Sequence, residues 1–299
     1  MAAAVTEGYA PFGEWSTWYR VTGSLDWAKA PVVVLHGGPG ATHDYLLSVC
    51  DLAEAQGRPV VHYDQLGNGR SSHLPDRGDD FWTVELFVRE LASLLDHLGI
   101  AGRYHVVGQS WGGFLAQEHA LTRPAGLRGL VLADTAASFP AFVEGANRLR
   151  AELPPGVNET LLKHENAGTT DDPEYAAACQ VFYDRHVCRI VPNPPEVAYA
   201  FAQIEADPTV YHTMNGPSEF HVIGSIKDWQ SLDRLHLIGC PTLIVSGRYD
   251  EATPEVVRPL HEGIAGSEWV VFEESSHLPH VEERDRWMAV VGAFLDAHD

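Results

Sequence analysis

Basic residues are scarce in this 299-residue chain: 20 Lys and Arg stand against 41 Asp and Glu, a net charge of −21. Proteins that neutralise phosphates need the opposite balance, which argues against nucleic acid and anionic membrane as partners. No apolar run approaches the length of a spanning helix, and none is expected. The stretch MAAAVTEGYAPFGEW lacks a basic start followed by an apolar core, so no signal peptide is expected. Cysteine is thin: Cys50, Cys179, Cys188 and Cys240 are scattered, with no C-x-x-C. That pattern points to reduced thiols and a cytoplasmic location rather than a disulfide framework. There are 16 histidines but no H-E-x-x-H, and neither a metal nor another cofactor is assigned. Internal repeats and low-complexity tracts are missing too. What is there, 45% hydrophobic and 20% charged residues, is an ordinary globular composition on a chain long enough for a large core.

The informative stretch is Tyr104 to Thr122. His105 to Val107 predicts a short buried strand, Gly108-Gln109-Ser110-Trp111-Gly112 follows, and Gly113 to Thr122 predicts a helix ended by Pro124. Strand, G-x-S-x-G, helix is the context of a nucleophile elbow, in which a sharp turn presents the serine at the carboxyl edge of a sheet. The rest of the first half has the same rhythm. Glu14 to Thr22 reads as a strand, and Ser24 to Ala30 as a turn. Val32 to Leu35, with no polar break, reads as a strand buried on both faces and ends in His36-Gly-Gly-Pro-Gly40. A helix over Asp44 to Ala55, a strand over Arg58 to Tyr63, a helix over Thr83 to Leu98 and a strand over Leu127 to Ala133 complete it. The economical architecture is α/β, a mostly parallel sheet with helices on both faces. From residue 136 to 236 strand-like runs fade and helical pieces appear near Phe142–Leu153, Pro173–His186 and Pro195–Ile204. The expectation is a helical cap at 136–236 inserted into one catalytic core formed by 1–135 and 237–299. Strands over Pro241–Ser246 and Glu268–Phe272, and helices over Pro254–Glu262 and Glu282–His298, resume the core.

A serine hydroxyl needs a base in hydrogen-bond reach and an acid to orient that base. On an elbow-bearing fold the order along the chain is Ser, acid, His. Asp250, in the loop after the Pro241–Ser246 strand, is the preferred acid, with Asp134 as its rival just past another strand end. His277, after the last strand, is the preferred base; His280 is the rival, read as a surface or helix-entry residue. The oxyanion of a tetrahedral intermediate needs two N–H donors. The backbone of Trp111 supplies one, and Gly38 in the glycine-dense loop is the best candidate for the other.

HGGPG at His36–Gly40, DQLGNGRSS at Asp64–Ser72, GQSWGG at Gly108–Gly113 and GRYDEATP at Gly247–Pro254 together resemble the proline iminopeptidases of the α/β-hydrolase superfamily. The likeness is to the tricorn-interacting aminopeptidase and the related L-amino-acid amidases in particular. It runs from about Pro31 to the C-terminus. It implies an α/β-hydrolase fold with Ser110, Asp250 and His277 as triad and Gly38 and Trp111 as oxyanion donors. It further implies that Glu219 and Glu251 hold the free α-amino group of the substrate. The expected activity is release of an unblocked N-terminal residue, proline or another, from short peptides or amino-acid amides. The expected partner is thus a small-molecule or short-peptide substrate with a free amino group. A carboxylesterase or lactone hydrolase using the same triad is the alternative. The aromatic residues of the cap, Phe139, Phe142, Tyr175, Phe182, Tyr199, Phe201 and Tyr211, leave side-chain preference open, since an aromatic in a helical cap is more often packing than pocket lining. His73 has no assigned role, and oligomeric state is unread.

Overall fold

Uninterrupted β-branched runs make the centre of the sheet, because a strand covered by helices on both faces has no position at which a polar side chain is solvated. The computed structural model describes residues 3–26 and 28–299; the stretch 24–30, expected as a turn, is irregular chain with bends apart from residue 27, which lies outside the described residues. The chain runs through β1 (Val5–Phe12), β2 (Trp15–Thr22) and β3 (Val32–Leu35) to a 3-10 turn at Asp44–Cys50. It continues through α1 (Asp51–Gln56), β4 (Val60–Tyr63), α2 (Val84–His97), β5 (Tyr104–Gln109), α3 (Trp111–Leu121) and β6 (Leu127–Ala133). The eight-stranded sheet has the order β1-β2-β4-β3-β5-β6-β7-β8, with β7 at Thr242–Gly247 and β8 at Glu268–Phe272. β1–β2 and β2–β4 pair antiparallel, and every other pair is parallel. All residues of β3, β4, β5 and β7 are buried. One apolar cluster on each face fills the space between sheet and helices.

Between β6 and β7 the chain carries α4 (Phe139–Ala151), α5 (Val157–Ala167), α6 (Pro173–His186), α7 (Pro195–Ala206) and α8 (Thr209–Met214). Ser138 caps α4 through its hydroxyl, Asp172 caps α6 through its carboxylate, and Pro opens α6 and α7, where a missing N–H costs nothing. α4, α5 and α6 share a cluster of their own, with Leu161, Tyr175, Phe182 and Phe220 at its centre. After β7 come α9 (Pro254–Gly263), then α10 (Pro279–Glu282) and α11 (Arg284–Ala297) beyond β8.

The structure departs from the sequence reading in a few places. β1 is not expected from the sequence: it holds Gly8 and Pro11, and of its residues only Ala10 is buried, so no apolar pattern marks it. α5 and α8 are likewise additions, and α5 buries only Leu161 and His164. The helix expected over Asp44–Ala55 begins as a 3-10 turn, and the closing helix is broken at Glu283. No helix among the described residues is long and apolar enough to cross a membrane.

Candidate active site

β5 delivers Ser110 into a backbone conformation that side chains rarely adopt, φ 56 and ψ −123. Such a residue costs about 1–3 kcal/mol and persists only where its surroundings fix it. Here Ser110 N–H donates to Ala133 O (3.0 Å), while Ser110 O accepts from Gly113 N–H (2.8 Å) and from the Thr135 hydroxyl (2.9 Å). The flanking glycines serve close packing. A Cβ on Gly108 would lie 2.2 Å from Gly112 O, and one on Gly112 would lie 2.1 Å from Leu35 O. Strand, elbow and helix therefore meet only if both positions lack a side chain.

Ser110, His277, Gly38, Glu219 and Glu251 line one cavity of about 620 Å³ between the carboxyl edge of the sheet and the α6–α8 region. His277 Nδ1 bonds Asp250 Oδ1 at 2.7 Å, and Ala252 N–H donates to the same oxygen at 2.9 Å. Asp134, the rival acid, accepts from Gly247 N–H at 3.1 Å and meets Asp250, not His277. His280, the rival base, is the second residue of α10 but is fully buried rather than at the surface, its Nε2 bonded to Tyr45 O. Burial lowers its pKa to about 3. Burial pulls His277 down as well, but the Asp250 charge, its hydrogen bond and the charges of Glu219 and Glu282 together raise it above the usual histidine value. Among the described residues no hydrogen bond joins His277 to Ser110. His277 Nε2 lies 3.6 Å from Glu251 Oε1. Catalytic hydrogen bonds of this kind commonly tighten only once substrate is bound.

The histidine loop is held from below. Glu282 accepts from Ser276 N–H (2.7 Å), and Glu283 accepts from the Ser275 hydroxyl (2.7 Å). A Cβ on Gly247 would fall 1.9 Å from Ser276 O, so the loops that carry Asp250 and His277 are pressed together there. Sequence reasoning does not single out Glu282 or Glu283, because both look like solvated helix residues and no local signal distinguishes them.

In the glycine-dense loop, Gly37 N–H is already committed to the Tyr45 hydroxyl at 2.7 Å. Gly38, at φ +112, comes next along the cavity wall. Trp111 opens α3, where the first N–H groups have no intrahelical acceptor. Its indole turns away into the core and donates to Gln65 Oε1 at 2.9 Å.

Glu251 is buried, with Oε2 lacking any partner, and Glu219 Oε1 accepts from the Tyr211 hydroxyl at 2.6 Å. Burial, then the charges of Glu219 and Asp250, push Glu251 well above the carboxylate range; burial raises Glu219 too. Among the described residues no Lys or Arg pairs with either. Of the cap aromatics, Tyr175, Phe201 and Tyr211 line the cavity, whereas Phe139, Phe142 and Phe182 are core packing. His73 bonds Asp207, between α7 and α8, and Gly69 O. His43, Asp44 and Asp64 come within metal-ligating distance of one another, but Asp64 already accepts from His43 N–H, His43 Nδ1 and Arg70 N–H. The four cysteines are free.

Known proteins share this sequence pattern and architecture. Residues 30–284 match the family model described as alpha/beta hydrolase fold. A proline iminopeptidase of Saccharolobus solfataricus is 39% identical over 93% of this chain and 87% of its own length. That of Lactobacillus delbrueckii subsp. lactis is 34% identical over 99% of both. Among solved structures, VinJ superposes with a TM-score of 0.96 at 57% identity, covering 98% of this chain and 99% of its own. Proline iminopeptidase from Mycobacterium smegmatis superposes at 0.91 with 46% identity, covering 98% of each. The chain therefore belongs to the proline iminopeptidase family of the alpha/beta hydrolases, as a hydrolytic enzyme of the aminopeptidase kind.

Proposed function

We propose that this enzyme releases an unblocked N-terminal residue, proline among the candidates, from short peptides or amino-acid amides through an aminoacyl-enzyme on Ser110. The observation that carries the reading is the placement of two carboxyl groups without a cationic partner, Glu219 and Glu251, in the wall of the cavity that holds Ser110 and His277. Buried carboxylates need a paired charge, and a substrate α-ammonium supplies one. Held between them, the substrate presents its first carbonyl to the elbow.

Ser110 Oγ attacks that carbonyl while His277 Nε2 takes the proton, and Asp250 steadies the imidazolium. The N–H groups of Trp111 and Gly38 receive the oxyanion. His277 then protonates the leaving amine. Water, deprotonated by the same histidine, attacks the ester and frees the amino acid and Ser110. No step calls for a cofactor. Residues 136–236 act as a cap over a core of 1–135 and 237–299; the cluster shared by α4, α5 and α6 supports treating them as a unit. Four free cysteines and the acidic balance support a cytoplasmic enzyme whose substrates are small.

The test compares an aminoacyl anilide, its N-acetyl derivative and a short-chain phenyl ester on wild type, Glu219→Gln and Glu251→Gln. Acetylation should cost about two decades in kcat/KM, the scale of removing one charge-assisted hydrogen bond from a dry site. Each Gln variant should lose the anilide far more than the ester. Equal turnover of free and acetylated substrates would show an esterase with no amine site.

A further inference from the structure

Asp134 rivals Asp250 by its position after a strand end, and the structure gives it a different place. It follows β6 at φ 51, and its carboxyl is fully buried. Its Oδ1 accepts one bond, from Gly247 N–H at 3.1 Å. Burial, then the charge of the Asp250 carboxyl and a hydrogen bond shared with it, hold the Asp134 carboxyl well above the usual carboxylate range. Asp134 Oδ2 and Asp250 Oδ2 are both buried and meet no other donor. The remaining acid facing Asp134 is Glu282, and no Lys or Arg among the described residues pairs with it. Two carboxylates in contact in a dry site cannot both be ionised. Asp250 Oδ1 receives two donors, His277 Nδ1 and Ala252 N–H, whereas Asp134 receives one, so the charge belongs on Asp250 and the shared proton on Asp134.

We propose that Asp134 is a positioning residue for the triad: as a neutral acid it donates a hydrogen bond to Asp250 Oδ2, fixing the carboxylate so that Oδ1 stays turned to His277. This rests on the triad reading above. Without that donor, an oxygen of a buried anion would be left unsatisfied. The strained turn at Asp134 thereby ties the end of β6, one strand from the elbow, to the acid that orients the base.

Three measurements test it. In the infrared difference spectrum of wild type minus Asp134→Asn at neutral pH, a protonated-carboxyl C=O band should be lost in the variant. Its absence from the difference would overturn the proposal, whatever the chemistry at Ser110. In kinetics, Asp134→Ala should lower kcat about tenfold or more with KM nearly unchanged, and Asp134→Asn, which keeps a donor, should restore most of the loss. The acidic limb of the pH profile should not move in Asp134→Asn, because no charge is removed. A downward move of that limb would mean that Asp134 is an anion, and an Ala variant equal to wild type would mean that it positions nothing; either overturns the proposal. Should Asp134→Ala fail to fold, the Asn variant and the infrared band still decide. Full turnover by Ser110→Ala would instead sink the triad reading and leave the infrared result standing.

Discussion

Gln109 Nε2 donates to the carbonyl oxygen of His277 across 3.0 Å, so the residue before Ser110 holds the backbone of His277. Its Oε1 accepts from the Tyr45 hydroxyl at 2.5 Å, and Tyr45 in turn accepts from Gly37 N–H. The glycine-dense loop, the elbow and the histidine loop are thus one hydrogen-bonded chain. Gln109→Ala leaves the Tyr45 O–H without an acceptor and the His277 carbonyl without its side-chain donor in a dry site, at about 1–3 kcal/mol each. The expected result is a fall in kcat of about ten- to a hundredfold with a smaller change in KM, measured by steady-state kinetics on the anilide. Losses confined to KM would show that Gln109 shapes the pocket instead.

The pH profile carries its own prediction. In the proposed mechanism His277 must be neutral to accept the Ser110 proton, and its pKa is raised by the Asp250 charge and hydrogen bond and by Glu219 and Glu282, which outweigh burial. Activity is therefore lost on acidification through a pKa above the ordinary 6.5 or so. On the proposed ammonium recognition, the upper limit is set by the substrate amine, near 7.7–8.0 in a typical peptide. Glu219→Gln removes one of the charges that raise His277, so the acidic limb of kcat/KM should move down in pH. A limb that stays in place would show that Glu219 does not reach the imidazole electrostatically.

Burial, then the charges of Glu219 and Asp250, raise the Glu251 carboxyl well above its ordinary range, which favours its protonated form in the free enzyme. An ammonium arriving beside it reverses that balance. Binding of an amino-acid amide to Ser110→Ala should therefore release up to about one proton, and less in Glu251→Gln. Calorimetry in buffers of different ionisation enthalpy measures it. Binding without release would place the ammonium elsewhere.

The parts of this site that the sequence makes legible are those whose signal is local. β3 and β6 show as apolar runs, and Ser110 shows because glycines flank it where a Cβ would fall 2.1 to 2.2 Å from a backbone oxygen. Asp250 and His277 follow from their order after strand ends. The supports do not show. Gln109 and Asp134 act across 168 and 113 residues, and Asp134, legible only as a rival acid, meets its actual partner once the sheet brings Gly247 close; Glu282 acts across only 6 residues, but nothing local marks it as more than a helix residue. The break at Glu283 has the same origin. Nothing in EERDR stops a helix, yet Glu282 and Glu283 are both spent on the histidine loop.

Glu90 extends the same logic to stability. From α2 its Oε1 accepts the Thr17 hydroxyl at 2.5 Å and Leu66 N–H at 2.8 Å, joining β2 to the loop that carries DQLGNGRSS. Oε2 has no partner, and burial, the largest influence, raises the carboxyl to about 8. In the unfolded chain the same group titrates near 4.3. Between those values the folded state binds the extra proton, so stability falls as pH rises, by up to about 1.4 kcal/mol per pH unit from this group. Below pH 4 or so both states are protonated and the contribution is flat. Glu90→Gln keeps an oxygen for Thr17 and Leu66 and cannot ionise. Denaturant unfolding at pH 5, 6.5 and 8, values chosen to span the window at about equal steps, should show a shallower decline for the variant than for wild type. Parallel declines would mean that Glu90 is already charged in the fold, with a donor to Oε2 that binds only there.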